Sequence, residues 1–179
     1  MKIIKKFKSE TAHIVRNALS TRCAHSIHGH SYIYEIGIEG NVSEKDGMVL
    51  DFKALTPIKN FIDMFDHTCI LWSKESDEIK EFFINNFERV VIFNKNPTAE
   101  NMVLVIAKYV VDFLKNVEKN NCALSHIRIW ETDTGSALLT SFDNVCDDDC
   151  IVFKSKQIEL EQEKNKEIEQ NFLNYFKGM

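Results

Sequence analysis

The chain has 179 residues, 44% of them apolar and 13 of them Phe, which suits one globular domain with a core of its own. Its 22 basic and 27 acidic residues leave a formal charge of −5, and Lys and Arg are scattered among acids rather than gathered in a stripe, which argues against a nucleic-acid partner. No apolar run approaches the roughly 20 residues of a membrane helix, and Met1-Lys2-Ile3-Ile4-Lys5-Lys6 leads into a strand-like pattern rather than an export signal, so no membrane association and a cytoplasmic location are expected.

The first predicted strand ends in Phe7-Lys8-Ser9-Glu10-Thr11-Ala12-His13. From Ser31 to Glu39, Tyr32, Tyr34, Ile36 and Ile38 alternate with Ile33, Glu35, Gly37 and Glu39, the period of a strand. Gly47-Met48-Val49-Leu50-Asp51-Phe52 reads as its hairpin partner, with turn residues between Asn41 and Gly47. Leu55, Ile58, Phe61, Ile62 and Phe65 recur at three and four, so Lys53 to Phe65 is predicted to be an amphipathic helix closing at Asp66-His67. A longer helix starts near Pro97, with Thr98 as its N-cap and a stripe of Met102, Val105, Ile106, Tyr109, Val110, Phe113 and Leu114. Ala123 to Trp130 is strand-like again and runs into Glu131-Thr132.

Two stretches fall outside that plan. Residues 73–95 form a charged, partly helical insert, and 154–179 read as a surface helix whose broken stripe suits either solvation or a neighbouring subunit. Five Cys (Cys23, Cys69, Cys122, Cys146 and Cys150) follow no framework spacing and read as reduced thiols, and Cys146 to Cys150 as a solvated acidic loop rather than a metal site.

Four of the six His lie between residues 13 and 30. His28 and His30, two apart on a strand, point to one face, and an antiparallel neighbour can bring His13 to the same place. Three imidazoles leave an open position on a metal, the arrangement of a catalytic zinc, although ordinary strand histidines satisfied by hydrogen bonds have the same spacing. Cys23 reads as a metal ligand, a thiol base or a buried structural cysteine, and His25 as an exposed or supporting residue. His67 reads either as a cation at a helix C-terminus or as a proton shuttle. Glu131 with Thr132 suits a guanidine-like N–C–N–H edge.

Ala12-His13, Cys23 ahead of His28-Gly29-His30-Ser31-Tyr32, Gly47 to Phe52, Phe65-Asp66-His67, Asn96 to Asn101 and Glu131-Thr132, in that order, resemble the 6-pyruvoyl/6-carboxytetrahydropterin synthase family from about Phe7 to about Leu139. The resemblance implies an α+β tunnelling fold: an antiparallel four-stranded sheet with two helices on one face, here as a domain over 1–153 with a C-terminal helical tail over 154–179. It implies a homo-oligomer, trimer or hexamer, with sites at subunit interfaces.

The same resemblance assigns His13, His28 and His30 to Zn2+, Cys23, Asp66 and His67 to proton transfer, and Glu131 to anchoring a pterin. The implied substrate is 7,8-dihydroneopterin triphosphate, processed without a redox cofactor. Val49-Leu50-Asp51-Phe52 resembles the bacterial branch that forms 6-carboxytetrahydropterin and acetaldehyde on the way to queuosine. The four residues between Cys23 and His28, against three in typical bacterial members, leave the 6-pyruvoyltetrahydropterin product as the alternative. A non-catalytic pterin-binding zinc protein is a further reading, a metal serving only to stabilise an oligomer another. The glutamate-containing aldolase variant of the family ranks below them because Cys23 is present.

Overall fold

The computed structural model describes residues 1–117, 121–142, 145, 151–153 and 156–177, so Cys146 and Cys150 lie outside the described residues. Its frame is a mixed sheet in the order β6-β5-β2-β1-β3-β4-β7. The strands are β1 (Lys2–His13), β2 (His28–Glu39), β3 (Thr68–Trp72), β4 (Val90–Phe93), β5 (Ala123–Trp130), β6 (Ser136–Leu139) and β7 (Ile151–Phe153). Between them run α1 (Thr21–His25), α2 (Thr56–Asp63), α3 (Asp77–Asn86) and α4 (Ala99–Lys115), with α5 (Lys156–Lys177) last. Among the described residues no helix is long and apolar enough to cross a membrane.

The α+β class is as expected, but among the described residues the sheet has seven strands rather than four, and the pairings of β3 with β1 and with β4 are parallel. Of these strands, β4 lies in the insert, β3 just ahead of it and β7 near the start of the tail. Val90-Val91-Ile92-Phe93 is a short apolar run because β4 is covered on both faces: Val91 and Phe93 enter the main core, while Val90 joins Ile14, Leu71 and Phe83 in a second one under α3.

Gly47 to Phe52 is not a strand, and β2 pairs instead with β1 and β5. Val49 and Leu50 are consecutive and both buried, which a strand with one covered face cannot arrange. Gly47 takes a φ of 72°, and Asp51 accepts the Lys53 N–H at 2.7 Å to start a 3-10 turn over Phe52–Leu55. The helix expected over Lys53 to Phe65 is that turn followed by α2, with Pro57 at its start.

On the main core side, α4 lays Met102, Val105, Ile106, Val110, Phe113 and Leu114 against β5 and β6, and α2 lays Ile58 and Ile62 beside β1. Burying each such side chain stabilises the fold by about 1.5–3 kcal/mol. Thr98 caps α4 through its side-chain oxygen, bonded by the Asn101 N–H at 3.3 Å. Thr98→Ala is expected to lower stability by about 1 kcal/mol, seen as a lower urea midpoint at unchanged m-value, and Thr98→Ser to retain most of it.

In β5 a bulge opposite Gly37 and Ile38 moves Leu124 onto the core face with Ile127 and Ile129, leaving His126, Arg128 and Trp130 on the other, so the simple alternation expected there is broken. The tail helix packs back on its own chain. Asn165 Nδ2 donates to the Asn60 carbonyl of α2 at 3.3 Å, Tyr109 donates to Glu169 at 3.0 Å, and Leu173 is buried in the main core.

Candidate metal centre and active site

β1 and β2 run antiparallel with His13 directly opposite His28. Opposite residues hold their Cβ atoms about 4.5–5.5 Å apart, and His30, two further along β2, shares the face of His28. The register alone therefore gathers three imidazoles, and one ring nitrogen from each lies within 4.8 Å of the others.

Backbone carbonyls set the tautomers. A carbonyl only accepts, so Nδ1 of His13 carries the proton it gives to Pro97 O at 2.7 Å, and Nδ1 of His28 carries the proton it gives to Ser26 O at 3.2 Å. Both Nε2 lone pairs then face each other across 3.1 Å. Burial of His13 pushes its pKa down to about 4, outweighing the opposite pull of the Pro97 carbonyl and of Glu131, and burial lowers that of His30 as well. Two ring nitrogens turned together in this way suit a shared cation between them. The donor set fits a divalent metal ion of the zinc class.

Glu131, at the end of β5, reaches the same place: its Oε1 lies 3.6 Å from Nε2 of His13 and 4.0 Å from Nε2 of His30. Tyr32 donates to that oxygen at 3.0 Å and stands 3.2 Å from Nδ1 of His13. Burial, then the charge of Glu131, pushes the Tyr32 phenol far up, so it acts as a donor. The sequence pattern sets Tyr32 on one face of a strand and gives it no part in the site. The signal was present in the period of two that puts residue 32 in line with His28 and His30. Pro97 was read as a helix start, and its carbonyl as nothing at all.

Two cavities adjoin this centre, and both are lined by Gly29, His30 and Ser31. One, of about 580 Å³, continues to Glu131, Thr132 and Trp130; Thr132 also turns its hydroxyl oxygen to the Gly135 N–H at 2.9 Å. The other, of about 800 Å³, continues to His67 and Cys69 beneath Phe82 and Phe87. Cys69 is not a reactive thiol, because burial pushes its pKa up to about 12.

Asp66 and His67 are pinned to β1, as Asp66 Oδ1 accepts the Glu10 N–H at 2.7 Å and the His67 N–H donates to Glu10 O at 2.8 Å. The imidazole of His67 stays exposed, 3.7 Å from its neighbour's Oδ2. Cys23 lies outside both cavity linings, on the short helix α1. That helix is held by Val15 N–H on the Cys23 carbonyl at 3.1 Å, and by Arg16, which bonds the Ala24 carbonyl at 2.8 Å while its fork grips buried Glu75 at 2.7 and 2.8 Å. His25 is exposed, as expected. The structure thus joins His13, His28, His30, Glu131 and Thr132, brings His67 to the same cleft as His30, and ties Cys23 through its carbonyl to Val15, two residues past His13.

The family model described as 6-pyruvoyl tetrahydropterin synthase matches residues 2–141. A Helicobacter pylori protein named 6-carboxy-5,6,7,8-tetrahydropterin synthase is 38% identical over 142 residues, covering 76% of this chain and 71% of its own length. A protein of the same name from Rickettsia felis is 32% identical over 108 residues, 59% of this chain and 77% of that one. Among solved structures, the 6-pyruvoyl tetrahydropterin synthase of Plasmodium vivax superposes with a TM-score of 0.59 at 18% identity, over 79% of this chain and 97% of that one. A Caenorhabditis elegans 6-pyruvoyl tetrahydropterin synthase gives 0.55 at 22%, over 79% and 95%; these two likenesses are of fold. The ordered motifs, the tunnelling fold and the family match agree: the chain belongs to the 6-pyruvoyl tetrahydropterin synthase family.

Proposed function

We propose that the protein is a zinc-dependent 6-carboxy-5,6,7,8-tetrahydropterin synthase that converts 7,8-dihydroneopterin triphosphate and water to 6-carboxytetrahydropterin, acetaldehyde and triphosphate. The observation that carries the proposal is the facing pair of Nε2 lone pairs on His13 and His28, 3.1 Å apart, with His30 and Glu131 closing on them. The names of the relatives support the carboxy product.

His13, His28 and His30 would hold the metal, and the carbonyls of Pro97 and Ser26 keep two of those rings turned for it. When bound, zinc supplies Lewis acidity toward the side-chain hydroxyl oxygens of the substrate, which acidifies the adjacent C–H bonds. Glu131 receives the N–C–N–H edge of the pterin, with Tyr32 fixing one of its oxygens and Thr132 at the same wall. His67, backed by Asp66, moves protons at the far end of the larger cleft. Cys23, on α1 beside the end of β1, is the thiol that shares in proton transfer with them.

The test is to load the protein with zinc, add dihydroneopterin triphosphate and identify products by mass spectrometry beside Cys23→Ala. Acetaldehyde with 6-carboxytetrahydropterin, lost in the variant, is the expected result. 6-Pyruvoyltetrahydropterin would move the protein to the other branch, and no thiol-dependent product would leave a pterin-binding protein. One observation favours a second reading: Glu131 stands near enough to the ring nitrogens to serve as a fourth ligand of a closed, structural site. The visible spectrum of the cobalt-substituted protein separates them, since added substrate perturbs an open site and leaves a closed one unchanged.

A further inference from the structure

The insert over 73–95 and the tail over 154–179 carry none of the motifs of the resemblance, yet they meet at the Asp66-His67 turn. Arg89, just ahead of β4, gives Nε to the Asp66 carbonyl at 2.7 Å and Nη2 to the carbonyls of Asp63 at 3.0 Å and Met64 at 3.2 Å. Its Nη1 grips both carboxylate oxygens of Glu161 on α5, at 2.8 and 2.9 Å. Asp63 and Met64 close α2, so the guanidinium adds a donor to the last carbonyls of the helix, which also accept from the Asp66 N–H at 3.0 Å and the Thr68 hydroxyl at 3.0 Å.

The turn needs such support. His67 holds a φ of 54°, the left-handed region that a residue with a side chain adopts only when its surroundings impose it. Glu10 pins it from the β1 side through the two bonds already described, and Arg89 pins it from the other. An ion pair this open contributes little by its charge alone, the side chains of Arg89 and Glu161 being 15% and 35% exposed. Its value is geometric, because a planar fork meets three carbonyls and a carboxylate together where a Lys ammonium cannot.

We propose that Arg89, seated by Glu161, is a positioning residue that aims His67 into the cleft it shares with His30, so that the insert and the tail serve proton transfer through the Asp66-His67 turn. The proposal rests on the reading of His67 as a proton-moving group. It is tested in the full-length, zinc-loaded protein with Arg89→Ala, Arg89→Lys and Glu161→Ala, measuring kcat, KM for dihydroneopterin triphosphate, zinc content and amide exchange at His67.

Arg89→Ala is expected to lower kcat about tenfold and Glu161→Ala about threefold, with KM and zinc content within about twofold and faster exchange at His67. Arg89→Lys should recover less than half of the lost kcat. If kcat stays within about twofold while only the melting temperature falls, Arg89 is a fastener of α2 and α5 and the proposal is overturned. Should Arg89→Ala not fold, Glu161→Ala, altered at a part-exposed partner, decides in the same terms. If the wild-type protein turns nothing over, the proposed function fails by itself, and exchange at His67 in Glu161→Ala still decides the brace: faster upholds it, unchanged sinks it.

Discussion

His30→Ala is expected to fold, to lose zinc and to fall to background turnover at zinc concentrations that saturate the wild type. A four-ligand structural zinc site is worth roughly 10–16 kcal/mol, hence about 2.5–4 per ligand, and losing one of three protein ligands weakens binding about 10²–10³-fold. His30 is the cleaner choice among the three because its side chain is 19% exposed and lines both cavities. His13, at 0% exposure, would leave a void and strand the Pro97 carbonyl. Metal analysis beside steady-state rates checks the result, and a variant that keeps one zinc per chain would remove His30 from the ligand set.

Acid should unfold the metal-stripped protein through His13. Burial takes its pKa from 6.5 to about 4, so between those values the unfolded chain binds a proton that the folded chain refuses. Stability therefore rises with pH across the window, is complete above 6.5 and is lost as pH falls toward 4, by about 3 kcal/mol. No discount for solvent applies to a side chain at 0% exposure, and His30, also shifted down by burial, adds in the same direction. Urea unfolding of chelated protein at several pH values measures the slope, and His13→Gln isolates it. Equal slopes in the two proteins would mean that carboxylates elsewhere govern acid unfolding.

The parts of the molecule legible in the sequence are those where one local period decides. The HGH pair follows from the period of two on β2, and α4 from its long apolar stripe and Thr98 cap. Gly47 to Phe52 misled because a strand and a buried loop can share an apolar run, and the tie is broken by Val49 and Leu50 plugging the core together. β4 hides among charges because a four-residue strand has no alternation to show once α3 covers its second face. The reach of Glu131 to the histidines depends on strand order, with β5 beside β2, which no local pattern encodes. The folding back of α5 on α2 escaped for a related reason, since its contacts with Arg89, Asn60 and Tyr109 are made by polar residues that read equally well as solvated.

One partner in the metal centre has no side chain to mutate. The oxygen that orients His13 belongs to the main chain of residue 97, so every substitution there keeps an acceptor, and sequence drift at that position can tilt the ring without ever abolishing its anchor. Loss of the anchor requires a change of path, an insertion or deletion between β4 and α4 that carries the carbonyl away. For the imidazole of His13, the length of that connection, rather than the identity of residue 97, is therefore what a redesign of this protein would have to leave alone.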